Sequence, residues 1–155
     1  MAALFSLFRK RQLFSEEENK KIVESIRNAE RLTSGEVRVY IESKNPLVNP
    51  LERASEIFYS LKMEQTDHHN AVLVYIAAKH KEFALFADSG IYEKAGSDFW
   101  NNEASKMIRH FSEGDLAEGI SQCVTDIGKV LQHAFPYQPK EDKNELPDEI
   151  VFGKM

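Results

Sequence analysis

The stretch Ala71–Ala78, Ala-Val-Leu-Val-Tyr-Ile-Ala-Ala, constrains this chain more than any other segment. It is too short for a long helix, and Val72, Val74 and Ile76 are β-branched. An unbroken apolar run of this kind fits a central strand buried on both faces.

The flanking segments supply its partners. Lys79-His80-Lys81 reads as a tight reversal, and Glu82–Ala87 then returns as an antiparallel strand, ended by Asp88-Ser89-Gly90. Upstream, Glu36–Glu42 alternates Val37, Val39 and Ile41 against Glu36, Arg38, Tyr40 and Glu42, a strand with one face better buried than the other. Asn45-Pro46 breaks it.

Helices fill the gaps. Ser15 with Glu18 three residues later forms a capping box, and Ile22, Val23, Ile26, Ala29 and Leu32 follow at helical spacing until Thr33-Ser34-Gly35. Asn49-Pro50 starts a second helix with a cap and a proline in its first turn. Two more are expected, from about Ser97 to His110 and from about Asp115 to Phe135, the latter capped by Asp115 and stopped by Pro136 and Pro139. Tyr137–Asp148 is polar and irregular, and Glu149–Phe152 fits a short edge strand. The order is α-β-α-β-β-α-α.

At 155 residues and 42% hydrophobic, the chain has the size and apolar content of one domain that needs no staples. That domain is expected over residues 14–136, between an N-terminal segment 1–13 and an irregular C-terminal extension 137–155. The net charge of −5 argues against nucleic acid and favours cationic partners, metal ions included. A single cysteine, Cys123, excludes an intrachain disulfide and a four-cysteine zinc site, and sits in an apolar helical run as a buried thiol. The apolar part of MAALFSLFRKRQ is far below the ~20 residues that span a bilayer. Its basic cluster follows the apolar part, the wrong order for a signal peptide. A monomer in the reducing cytoplasm is expected.

Strand directions locate a candidate site. The first two strands run parallel through a right-handed crossover, and the hairpin reverses the third. The start of the first strand (Gly35, Glu36), the approach to the second (Asp67, Asn70) and the finish of the third (Asp88, Gly90) then lie at one end of the sheet. Glu93, five residues past Asp88, is placed to join them. Several oxygen ligands at one point suit a hard divalent cation, calcium or magnesium. The plainer reading has Glu36 as an exposed strand start and Asp88 as a turn-former. His68 and His69 are adjacent and cannot both lie on one face of a regular element; His80 sits at the opposite end of the sheet. For His110 and His133, at helix C-termini, a dipole role suffices. There is no Gly-rich phosphate loop and no Gly-x-Ser-x-Gly, and Thr33, Ser34 and Ser89 have no base assigned nearby in sequence.

Several segments in order resemble the TPM domain family. They are Thr33-Ser34-Gly35-Glu36-Val37-Arg38-Val39, Asn70-Ala71-Val72-Leu73-Val74-Tyr75-Ile76, Phe83 to Ile91, Glu93-Lys94-Ala95-Gly96-Ser97-Asp98-Phe99-Trp100, Phe111-Ser112-Glu113-Gly114-Asp115 and Asn144-Glu145-Leu146-Pro147-Asp148-Glu149. The match covers about Phe14 to Gly153 and is closest to the stand-alone bacterial form. The family is named for a thylakoid acid phosphatase, a photosystem II repair protein and an acetylcholine-receptor modulator. The resemblance implies a three-layer α/β/α Rossmann-like sandwich around a small mixed β-sheet. It also implies divalent-cation binding, calcium (Ca2+) ahead of magnesium (Mg2+), with Asp88, Asp67, Glu36 and Glu93 as metal ligands. The family commonly has Asn-Gly where this chain has Asn70-Ala71.

Two functions compete. One is a cation-binding accessory or interaction module, with an unidentified protein partner. The other is a metal-assisted acid phosphatase, in which the cation polarises a phosphate oxygen and an Asp serves as nucleophile or base. Only Arg38 and Lys94 are placed to clamp a phosphate, which favours the module.

Overall fold

The computed structural model describes residues 13–47, 49–138 and 149–155. The N-terminal segment up to Gln12 and the stretch from Pro139 to Asp148, with the Asn144–Asp148 motif, lie outside the described residues.

The elements run α1 (Glu16–Arg31), β1 (Glu36–Glu42), α2 (Pro50–Ser60), β2 (Ala71–Ala77), β3 (Glu82–Ala87), α3 (Ser89–Ala95), α4 (Ser97–Glu113), α5 (Leu116–Ala134) and β4 (Val151–Phe152). Local chemistry explains several of their boundaries. At α1 the capping box is complete: Glu18 N donates to Ser15 Oγ at 3.1 Å, and Ser15 N donates to Glu18 Oε1 at 2.9 Å. At α2, Asn49 Oδ1 accepts from Leu51 N at 2.8 Å, with Pro50 opening the first turn.

The sheet order is β3-β2-β1-β4. β1 and β2 are parallel, from Glu36↔Ala71 to Glu42↔Ala77. β2 and β3 are antiparallel, from Val72↔Ala87 to Ala77↔Glu82. The short β4 adds to the free side of β1 in parallel, as Tyr40↔Val151 and Ile41↔Phe152.

All seven residues of β2 are buried, and their alternation divides the core into two layers. Val72, Val74 and Ile76 join Val37, Val39 and Ile41 against Ile22 and Ile26 of α1, Met107 of α4, and Ile120, Val124, Ile127 and Leu131 of α5. Ala71, Leu73, Tyr75 and Ala77 pack instead on Ala54, Ile57 and Phe58 of α2 and on Met63. Each such side chain contributes on the order of 2 kcal/mol when fully buried. The result is the α/β/α sandwich around a mixed sheet.

One element departs from expectation. Asp88-Ser89-Gly90 is not merely a turn after β3: Asp88 caps the short helix α3, its side chain accepting from Ser89 N at 2.7 Å. The next helix, α4, runs three residues beyond His110, to a left-handed Gly114 with φ +75°.

The far end of the sheet carries a buried polar network. Glu42, 3% exposed, takes two hydrogen bonds from Arg53 of α2, Nε to Oε2 at 2.8 Å and Nη2 to Oε1 at 2.9 Å. Tyr75 Oη donates to the same carboxylate at 2.5 Å. Burial and this carboxylate hold the Tyr75 phenol well above its usual range.

Candidate functional site

The strand register places the sheet-end residues. Glu36 pairs with Ala71 from β1, and Asp88 N donates to Ala71 O at 3.0 Å from the other side. Glu36 and Asp88 therefore flank Ala71 on one rung. Since Val37 and Ala87 face the α1/α5 layer, pleating directs Glu36 and Asp88 to the α2 side. Only the methyl group of Ala71 stands between them on that face. Glu36 is 2% exposed and Asp88 9%, so neither is a solvated strand end.

Asn70 lies immediately before β2 and is 1% exposed. Its Nδ2 reaches Ser34 Oγ at 3.5 Å, and its Oδ1 is buried without a hydrogen-bond partner among the described residues. The loop before it is pressed against α3. Gly90 N donates to His69 O at 2.8 Å, and a Cβ at Gly90 would stand 2.2 Å from His68 O and 2.5 Å from His69 O. Only glycine admits that approach. His69 holds a left-handed φ of +49° in this loop, and its Nδ1 lies 3.3 Å from Asp88 Oδ2.

Asp67 is exposed in the turn Thr66–His69, and Glu93 is exposed on α3. The four acids share the sheet end, but no three of them draw their oxygens within 4.8 Å of one another. Among the described residues, that separation is met by His110, Glu113 and Asp115 instead.

The TPM domain family model matches residues 7–130. The chain belongs to the TPM domain family. The solution structure of the BA42 protein from the psychrophilic bacterium Bizionia argentinensis is similar to this TPM domain at 35% identity and a TM-score of 0.83, over 92% of this chain and 97% of that one. The N-terminal domain of the cg2496 protein from Corynebacterium glutamicum shares the fold at 10% identity and a TM-score of 0.58, over 78% and 76% of the two chains. No curated protein matches the sequence.

The two cations expected near the acidic end of this TPM domain have other surroundings. Lys94 Nζ sits 4.3 Å above the Phe135 ring. Arg38 is half-buried; burial lowers its pKa, while the charges of Glu149 and Glu30 act to raise it.

The His110 group was not legible as a ligand set. Asp115 occupies the N-cap position of α5, yet its side chain makes no capping bond. It turns to His110, whose Nδ1 lies 3.0 Å from Asp115 Oδ1. The usable signal was the spacing His-x-x-Glu-x-Asp across a helix-ending glycine. Among the described residues no helix is long and apolar enough to cross a membrane.

Proposed function

We propose that this TPM domain binds a divalent cation, calcium in preference to magnesium, at the sheet end carrying Asp88, Glu36, Asp67 and Glu93. In this reading it serves as an accessory or interaction module rather than a hydrolase. The observation that supports it is the pairing of Glu36 and Asp88 across Ala71, with the buried and unanswered Asn70 Oδ1 on the residue that precedes Ala71. Two enclosed carboxylates on one rung can supply oxygens to a single hard cation. An amide oxygen left without a donor costs about 1–3 kcal/mol, which coordination offsets. Calcium takes six to eight oxygens in a flexible shell, so the exposed Asp67 and Glu93 can swing in to complete it, whereas magnesium demands a tighter octahedron.

Lys94, one candidate phosphate clamp, stacks on the Phe135 ring, and burial disfavours the charged form of the other, Arg38; both weigh against phosphomonoester hydrolysis. Titrating calcium and then magnesium against the amide resonances tests the reading. Calcium is expected to move Ser34–Glu36, His68–Ala71 and Asp88–Gly90 in the native protein and to lose most of that effect in Asp88→Asn. Unmoved loops would sink the cation site, and metal-dependent turnover of a generic phosphomonoester would sink the non-catalytic half.

A further inference from the structure

We propose that His110, Glu113 and Asp115 form a second metal site at the α4–α5 corner, suited to a zinc-class first-row transition ion rather than to calcium. The left-handed Gly114 folds the chain back so that one donor atom from each residue lies within 4.8 Å of the other two.

The polar groups around the imidazole fix its orientation in a way that suits a ligand. Nδ1 faces Asp115 Oδ1 at 3.0 Å, and Nε2 faces Gln122 Oε1 at 3.3 Å. The orientation of Gln122 is set by the next link, where its Nε2 donates to Glu118 Oε1 at 3.0 Å. Glu118 in turn is paired with Lys21 of α1, whose ammonium lowers the Glu118 pKa. An ionised Glu118 accepts only, so the Gln122 amide must present its nitrogen there and its oxygen to His110. Both imidazole nitrogens therefore face oxygens. A metal ion on Nδ1 fits this geometry: it sits on the Asp115 and Glu113 side, and the Nε2 proton goes to Gln122 Oε1. A ligating histidine held through its other nitrogen is the usual outer-shell arrangement of metal sites.

Packing supports the same orientation. Gly119 of α5 passes so close that a Cβ there would lie 2.6 Å from His110 Cβ, which pins the ring at its base. The His110 side chain is 16% exposed and that of Asp115 42%, so one side is walled by protein and the other is open for water ligands. One imidazole nitrogen with two carboxylates suits zinc, nickel or cobalt, and bond lengths of about 2.0–2.2 Å require the exposed Glu113 to rotate inward on binding.

The test is a zinc chloride titration of nitrogen-15 labelled protein at constant pH, read at the histidine ring nitrogens and at the amides of Glu113–Asp115. Saturable one-to-one binding centred on His110 Nδ1 is expected, weakened at least tenfold in His110→Ala and in Asp115→Asn and unchanged in Asp88→Asn. Asp115→Asn preserves side-chain shape, so a folding defect in His110→Ala leaves the question answerable. Zinc shifts that persist in both variants would place the ion on another histidine and overturn the site. So would ring shifts that appear with acidification while zinc adds nothing, which would mean that a proton alone fills the gap. Since Asp88→Asn leaves this readout untouched, failure here is distinguishable from failure of the sheet-end site.

Discussion

Glu36 and Asp88 stand on the same rung of the sheet, one on each side of Ala71. Two strand spacings separate their backbones by roughly 9.6 Å, and the intervening residue is small. Inward-leaning carboxylates can therefore share a cation over Ala71, while each remains tied to its own strand. Asp88 also caps α3, so its two roles must be separated in any test.

Asp88→Asn separates them. Asparagine caps a helix about as well as aspartate, but carries no charge to bind a cation. Calcium at a hundred times its dissociation constant is expected to stabilise the native protein by about 2.7 kcal/mol and the Asn variant far less. Asp88→Ala is expected to lose about 1 kcal/mol more from the missing cap even without calcium. Thermal melts with calcium and with chelator check both statements, and equal calcium responses in native and Asn proteins would refute the first.

Arg53→Met tests the network at the other end of the sheet. It leaves the Glu42 carboxylate buried with Tyr75 as the remaining donor of the network described above. Removing one member of a buried pair costs about 3 kcal/mol. The double variant Glu42→Gln with Arg53→Met has no stranded charge, so it should recover part of the loss. Urea unfolding of the single and double variants measures the difference. A double variant less stable than the single one would show that the charge is not what the arginine satisfies.

Glu103 supplies a pH dependence with a definite sign. It is 3% exposed on α4 against Cys123 and Asp126 of α5, with Lys106 on its own helix 3.5 Å away. Burial, then the hydrogen bond and charge of Asp126, push its pKa from an ordinary 4.5 up to about 7, against the pull of Lys106. The native state thus holds the proton more tightly than the unfolded chain does. The stabilisation is complete below the unfolded value, declines as pH rises, and is lost through about 7. Glu103→Gln should flatten this decline, on the order of 2 kcal/mol between pH 5 and 8. Identical pH profiles for the two proteins in urea titrations would place the dependence elsewhere.

How far the fold could be read in advance tracks how local its determinants are. β2 was legible because seven consecutive buried residues leave no polar alternation to misread, and α1 because Ser15 and Glu18 satisfy each other within one turn. α3 was hidden: seven residues with one buried side chain, Ile91, give no stripe, and Asp-Ser-Gly reads equally well as a turn. The shared rung of Glu36 and Asp88 was foreshadowed by strand direction alone. The separate surroundings of the acids were not, because the burial of Glu36 depends on tertiary packing and the exposure of Asp67 on the shape of its loop. For Asp115 the cap position was right and the partner was wrong. Its carboxylate prefers His110, which is held in place by Gly119 on the following helix, a contact no local pattern announces.

Gly128→Ala weighs helix propensity against packing. In an isolated helix the change would favour α5 by about 1 kcal/mol. Here a Cβ at residue 128 would lie 2.6 Å from Ala29 Cβ and 3.0 Å from Ala29 Cα on α1. The obstructing atoms belong to the backbone and its first carbon, so they cannot rotate away, and the two helices must separate. Overpacking of this kind costs about 1–3 kcal/mol, and loosening the α1–α5 contact also disturbs Ile22, Ile26 and Ile127 around it. The balance is a net loss of about 1–2 kcal/mol. Gly96→Ala has no neighbour within 4 Å but holds φ +86°, so it isolates the backbone contribution. Urea unfolding compares the two, and a Gly128→Ala protein at least as stable as the native one would mean that α1 sits less tightly on α5 than these distances require.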